Sequence, residues 1–220
     1  MPKTLTELGI SMVELKKRSE IHWARKLWHI LGVSVMTLVY AYAPYKVSLA
    51  LILTAWLAFV PADFLRHRSS ALNDFLMHLF KPLMRDSEAH NLAGTTYLLT
   101  GVLITIGLFP FNVAILTLLF LAFADPFASY FGIRYGKDKI FGHKSVQGTL
   151  AAFLICALLT AVFLYTRGLM MDRILIVTLL GGLIGALAEL IPIAKLDDNL
   201  TLPLISATFL WLLFALFGAV

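Results

Sequence analysis

Charge is scarce in this chain of 220 residues. Asp, Glu, Lys and Arg make up 14% of it, where a water-soluble domain carries about 25%. Cysteine is scarcer still: Cys156 stands alone, which excludes an intramolecular disulfide and a thiolate metal site. It lies in an apolar run and is expected to fill space in a helix. His22, His67, His78, His90 and His143 lack metal-ligand spacing, which argues against zinc. The sequence contains no nucleophile elbow, no soluble P-loop, no repeat and no low-complexity tract. No cleavable leader is expected, because the first 26 residues are polar and charged. What fills the chain instead is hydrophobicity, at 60% apolar residues and a mean hydropathy of +0.85. A soluble enzyme, a disordered tail and a disulfide scaffold are all disfavoured.

The apolar residues fall into about seven runs of the length that crosses a bilayer, roughly 20 residues each. Their approximate limits are 27–43, 47–65, 95–109, 112–131, 148–166, 174–194 and 200–220. The expected fold is all-α: a polytopic membrane bundle with about seven transmembrane helices over residues 27–220. Residues 1–26 are expected to form a cytoplasmic amphipathic N-terminal helix. Leu72, Phe75, Leu76, Leu79, Phe80 and Leu83 predict a second interfacial helix, interrupted at Pro82. Gly181, Gly182 and Gly185 predict close helix packing.

Charge distribution sets the orientation. With the N-terminus in the cytoplasm, 15 of the 18 basic residues fall on that side. The net charge of +5 then reflects cytoplasmic loops and anionic lipid rather than nucleic acid, and no nucleic-acid partner is expected. Twelve of the 13 acids fall on the same side, which the positive-inside rule does not require. Asp63, Asp125 and Glu189 sit at cytoplasmic span ends, and Asp197 and Asp198 precede the last span. A carboxylate within a span costs roughly 2.5–3.5 kcal/mol at mid-membrane. Acids held at one depth beside basic loops point to a site for a polyanion and its metal ion. Ordinary interfacial charges paired with arginines are the bland alternative.

The most informative stretch runs from Asp125 to Thr149. An acid ends a span; Gly132 and Gly136 follow, then a basic loop with Gly142, His143, Lys144 and Ser145, then Gly148 opening a new span. Glycines let a backbone approach a phosphate. Lys144, Ser145 and the free N–H groups at the next helix start can grip phosphate oxygens, and Asp125 can hold Mg²⁺ at those oxygens. Helix packing is the competing reading of Gly132 and Gly136. Arg25, Lys26 and His29 share one face at the entry of the first span. That face suits nucleotide phosphate or a lipid headgroup, or a simple positive-inside anchor. Glu88 can bind metal, position a hydroxyl or cap a helix. Asp198 and Asn199 suit Mg²⁺, and suit equally a turn and N-cap.

These residues resemble a known family, the CTP-dependent polyprenol and lipid kinases, which includes dolichol kinase, phytol kinase and CTP-dependent diacylglycerol kinase. Asp125, Ala128, Gly132 and Gly136 match its first element in register, and Lys144, Ser145 and Gly148 match the second. His143 stands where lysine is common and Gln147 where glutamate is common. Arg25-Lys26-x-x-His29-x-x-Gly32, the segment 88–97, Glu189 and Asp198-Asn199-x-x-x-Pro203 resemble further elements in order.

The resemblance implies an integral, multi-pass membrane kinase whose active site faces the cytoplasm, in a prokaryotic plasma membrane or an ER or plastid membrane. It implies transfer of the γ-phosphoryl of CTP, with Mg²⁺, to a membrane lipid alcohol: polyprenol, dolichol, phytol or diacylglycerol. Asp125, Lys144 and Glu189 are the expected catalytic residues. Arg25, Lys26, His29, Gly132, Gly136, Lys144, Ser145 and Gly148 are the expected nucleotide-binding residues. Asp125, Asp198 and Asn199 are the expected metal ligands. Glu189 and Asp125 both remain candidates for orienting the hydroxyl. Two rivals are a CTP-dependent phosphatidate-type cytidylyltransferase and a small transporter. Whether copies of the chain form a homo-oligomer is left open.

Overall fold

The computed structural model describes residues 23–80, 82–193 and 196–219. Along them run α1 (Trp23–Tyr42), α2 (Tyr45–Arg66), α3 (Ser70–Leu79), α4 (Gly94–Leu108), α5 (Phe111–Tyr135), α6 (Val146–Arg167), α7 (Ile174–Leu190) and α8 (Asp198–Leu216). Between α5 and α6 lies an antiparallel hairpin of β1 (Lys139–Phe141) and β2 (Lys144–Ser145). Gly142 takes a left-handed φ of 53° in its tight turn, a conformation that favours glycine. The all-α expectation therefore holds. Five segments are long and apolar enough to cross a membrane: α2, α5, α6, α8 and Met171–Leu190, which is α7 with its preceding turn. Helix α4 is apolar but has 15 residues, and α1, with Arg25 and Lys26 in its first turn, is not among the five.

Helix ends follow local chemistry. Pro44 and Pro110 stand immediately before α2 and α5, where the missing N–H costs nothing. Gly168, left-handed at φ 62°, caps α6. Helix α7 stops at Leu190 rather than running to 194, because Ile191 precedes Pro192 and is pushed to an extended conformation. Helix α3 stops at Leu79, before Pro82, and Met77 is its buried residue while Phe75 and Leu79 face outward. The amphipathic helix expected over residues 1–26 lies outside the described residues except for Trp23 to Lys26, which form the first turn of α1.

Helix α5 is the centre of the bundle. It touches α1, α4, α6, α7 and α8, and 67% of its apolar stretch is buried, against 22% for α2. Leu116, Leu118, Phe120 and Leu121 supply its fully buried core positions. Beside it, α7 packs on α6 through the glycines expected to pack closely. A Cβ on Gly181 would meet Thr160, one on Gly182 would meet Ala157, and one on Gly185 would strike Cys156. Close approach of backbones is the main route to dispersion energy where lipid removes the hydrophobic drive between helices. Buried hydroxyls bond within their own helices: Thr105 to the Gly101 carbonyl at 2.7 Å, Thr160 to that of Cys156 at 2.7 Å and Ser206 to that of Leu202 at 2.6 Å.

Candidate active site

The polar side chains gather in one cleft of about 110 Å³ at one end of the bundle. The N-terminal turns of α1, α6 and α8 meet there with the C-terminal parts of α5 and α7. Helix N-termini carry positive partial charge and unsatisfied N–H groups. Two of them, at α6 and α8, border this space with Ser145 and Asp197 as N-caps.

Lys144 stands at the centre. Its ammonium lies 3.2 Å from Glu189 Oε1 and 3.2 Å from Asp198 Oδ2, and it also donates to the Glu189 carbonyl. Burial pulls its pKa down, but the charges of Glu189, Asp198 and Asp125 outweigh this and hold it above the ordinary lysine range. Asp125 faces the same cleft, within electrostatic reach of His29, Arg85, Lys26 and Lys144. Among the described residues its carboxylate has no hydrogen bond or ion pair, unlike Glu189. Burial holds Asp197 above the ordinary carboxylate value, although its side chain accepts from the Asn199 N–H at 3.0 Å.

Helix α1 is stapled to this wall by its first two turns. Lys26 donates to the Pro126 carbonyl at 3.1 Å and to Ser129 Oγ at 2.8 Å. The His29 Nε2 hydrogen goes to the Leu121 carbonyl at 2.8 Å; a carbonyl only accepts, so Nε2 carries the proton. Pro126 removes one N–H from the α5 ladder at this crossing. Arg25 bonds Glu88 Oε2 at 2.7 Å and the Leu83 carbonyl at 2.9 Å. Glu88 also accepts from the Arg85 N–H at 2.8 Å and the Gly94 N–H at 2.7 Å. Burial alone would raise its pKa, but Arg25 and these N–H groups hold it below the ordinary value. Of the roles open to Glu88, helix capping and anchoring of Arg25 are the ones its contacts satisfy.

Two expectations are corrected here. Asp125 does not end its helix: α5 continues through Pro126 to Tyr135, so Gly132 is helical and Gly136 is the residue after the last turn. The Gly132–Gly136 segment is thus no phosphate-admitting loop. Gly136 does not line the cleft; a Cβ on it would collide with the Gly132 carbonyl and Ser145. Gly132 and Gly148 do line the cleft, and they are also where α5 and α6 touch: a Cβ on Gly148 would lie 2.8 Å from the Ala128 carbonyl. The packing reading therefore applies to all three glycines. Ser145 is buried, and its oxygen accepts from the Gly148 N–H at 3.3 Å as the α6 N-cap. Asn199 is buried and donates to the Gly94 carbonyl at 3.1 Å, tying α8 to α4.

The remaining expected residues, Arg25, Lys26, His29, Asp125, Lys144, Glu189 and Asp198, all border the one cleft. Arg85, His143 and Ser129 border it too, and were not singled out as site residues. Arg85 reads in sequence as one more cytoplasmic positive charge, and Ser129 carries no signal beyond lying four residues after Asp125. Gln147 lies away from the cleft and bonds Asp138 Oδ2 at 3.1 Å, fastening the hairpin to α6.

The donor set has a definite character. Among the described residues, no three His, Cys, Asp or Glu side chains sit close enough to hold a metal by themselves. Mg²⁺ commonly takes one or two carboxylates and completes its shell with phosphate oxygens and water. Asp125 and Asp198 on one cleft fit an ion that arrives on a polyphosphate. Fold and cleft together define an all-α integral membrane protein with an ionic site at the ends of its helices.

Comparison with known proteins narrows the class. The chain is 34% identical over 170 residues to CTP-dependent diacylglycerol kinase 1 of Schizosaccharomyces pombe, covering 71% of this chain and 78% of that protein. It is 26% identical over 211 residues to the Saccharomyces cerevisiae protein of the same name, covering 84% and 71%. With the Eremothecium gossypii protein of that name it shares 32% over 167 residues, 67% of this chain and 53% of that one. The chain belongs to the CTP-dependent lipid kinase family. No family model and no solved structure matches it.

Proposed function

We propose that this protein transfers the γ-phosphoryl group of CTP to the hydroxyl of a diacylglycerol-type membrane lipid alcohol. The observation that carries this reading is the meeting of Asp125, Lys144 and Asp198 in one cleft beside the starts of α6 and α8. Phosphoryl transfer needs positioning and charge neutralisation more than covalent help from the protein. Here α1 and α4 complete seven spans with the five longer ones, the N-terminus lies in the cytoplasm, and the cleft faces the cytoplasm at headgroup depth. Nucleotide then enters from water and lipid from the side.

Lys144 exchanges its contacts with Glu189 and Asp198 for phosphate oxygens. The N–H groups opening α6, with Arg85 and His143 nearby, add to the same field. Lys26 and His29 hold α1 against α5 and border the phosphates. Mg²⁺ bound with the triphosphate would be held by Asp125 and Asp198, with the Asn199 oxygen beside them, and would supply charge neutralisation. Glu189, once Lys144 turns to phosphate, is left as the carboxylate able to take the hydroxyl proton. The lipid oxygen bonds to the γ-phosphorus, the bond to the β-phosphate oxygen breaks, and CDP leaves. Purified protein with γ-labelled CTP or ATP and a panel of lipid alcohols tests this. Labelled lipid phosphate and CDP are expected; release of pyrophosphate would mark a cytidylyltransferase instead. Asp125→Ala is expected to abolish transfer in a folded protein, and full activity would overturn the site assignment.

A further inference from the structure

A second cavity, of about 520 Å³, opens beside the cleft between α1, α2, α3 and α4. Its size falls in the range of about 300–1,000 Å³ common for small-molecule sites. Its lining is of another kind. Val33, Met36, Phe59, Leu98 and Leu99 form apolar walls, and Leu76, Phe80, Leu83 and Met84 close it from the side of α3. The charged groups that reach it are satisfied by protein. Asp63 accepts from Arg66 Nε at 2.6 Å, from the Ala93 N–H at 2.9 Å and from Thr96 Oγ1 at 2.5 Å. Glu88 is held as described above. The cavity thus offers hydrocarbon contact with little bare charge.

Three side chains, Arg25, His29 and Asn199, border both this cavity and the ionic cleft. We propose that the cavity holds the hydrocarbon chain of the lipid alcohol and delivers its hydroxyl to the cleft across Arg25, His29 and Asn199. This rests on the lipid-kinase reading and adds to it the place and orientation of the acceptor.

Two further observations favour a bilayer lipid as the occupant. Small residues line the space without closing it. Ala55, Ala58 and Ala62 recur along one face of α2 opposite Gly32 of α1, a pattern that ordinarily brings helices together. Yet a Cβ on Gly32 would meet nothing within 4 Å. The space is also reached from the membrane side: Trp28 lines it while 58% exposed, and α2 is the least buried of the five membrane-length segments. At the boundary, the Nε2 hydrogen of His29 is committed to Leu121, so Nδ1 is the ring atom left to meet a hydroxyl, accepting its hydrogen whenever it carries none of its own. His29 is in this account a positioning residue at the junction of the two spaces.

The test uses full-length protein in nanodiscs. Gly32→Leu adds bulk where space is open, and Ala58→Phe fills the opposite wall. Each is expected to raise KM for dioleoylglycerol at least tenfold and to leave KM for CTP within twofold, with a smaller KM change as the acyl chains shorten. A diazirine-bearing diacylglycerol is expected to label Met36, Phe59 or Leu98, with competition by dioleoylglycerol and not by phosphatidylcholine. Unchanged lipid KM in both variants, equal competition by phosphatidylcholine, or labelling confined to the outward Leu31 and Leu57 would overturn the cavity proposal while leaving an active wild-type enzyme as a lipid kinase. Cavity labelling competed by dioleoylglycerol in a wild-type protein that phosphorylates no alcohol would instead remove the kinase reading and keep the lipid site. Labelling is read without turnover, so it decides the matter even if neither variant folds.

Discussion

The two ends of the bundle are made of similar helices and joined in opposite ways. At one end α1 passes to α2 through Ala43 and Pro44, α4 to α5 through Phe109 and Pro110, and α6 to α7 through Gly168 and one 3₁₀ turn. At the other, the connections span residues 67–93, 136–145 and 191–197, and the ionic site lies at that end. The short end has its own ion pair, Arg173 to Asp172 at 3.1 Å, but these side chains are 53% and 73% exposed. Such a pair is worth about 0–1 kcal/mol. The long end pairs Arg66 with Asp63 at 2.6 Å, with side chains 1% and 2% exposed. The same chemistry is incidental where water reaches it and decisive where burial excludes water.

The largest expected contrast is in catalysis. Asp125→Asn should lower turnover by about 10²–10³-fold, whereas Asp172→Asn should leave it within about twofold, since surface changes away from a site are usually near neutral. Radiolabelled CTP turnover with matched circular dichroism checks both. Next comes stability. Arg66→Met leaves Asp63 buried without its partner and should cost about 3–5 kcal/mol, while Arg173→Met should stay within about 0.5 kcal/mol; unfolding titrations in detergent read the difference. Within α4 alone two glycines should also separate. A Cβ on Gly101 would lie 2.7 Å from the Asn199 carbonyl, while one on Gly107 meets nothing within 4 Å. Gly101→Ala should therefore destabilise by about 1–3 kcal/mol and Gly107→Ala stabilise by about 0.5–1 kcal/mol, seen as opposite shifts in Tm.

The smallest effect concerns pH. The folded pKa of Glu88 lies below its ordinary value of 4.5. Its stabilisation is complete above that value and is lost as pH falls through the depressed one. The Tm difference between wild type and Glu88→Gln should thus shrink as the buffer is taken below pH 4.5. A gap that widens on acidification would contradict the Arg25 contact.

Much of the site was legible because a membrane makes charge informative. Asp125, Glu189 and Asp198 stand in or beside apolar runs where a carboxylate is costly, and all three border one cleft. Gly181, Gly182 and Gly185 were legible as packing residues for a related reason: only close backbones justify three small residues in one run. Gly132 and Gly136 misled because glycines after an acid look like a loop, whereas the helix absorbs Pro126 and carries on to Tyr135. Arg85 was hidden among other basic loop residues. The apolar cavity gave no warning at all, since Ala55, Ala58 and Ala62 read as packing residues whether or not anything packs on them. The part α1 plays at the cleft was half visible: its charges marked the first turn, but no spacing rule pairs Arg25 with Glu88, 63 residues away.

Arg66 also constrains the order of assembly. Its guanidinium ends the second helix, yet two of its acceptors are the carbonyls of Glu88 and Asn91, at 2.8 and 2.7 Å, supplied 22 and 25 residues downstream. With the first two helices alone, that cation has Asp63 as its ionic partner but lacks both carbonyls. The native seating of Arg66 is therefore complete only when the segment leading into α4 is in place.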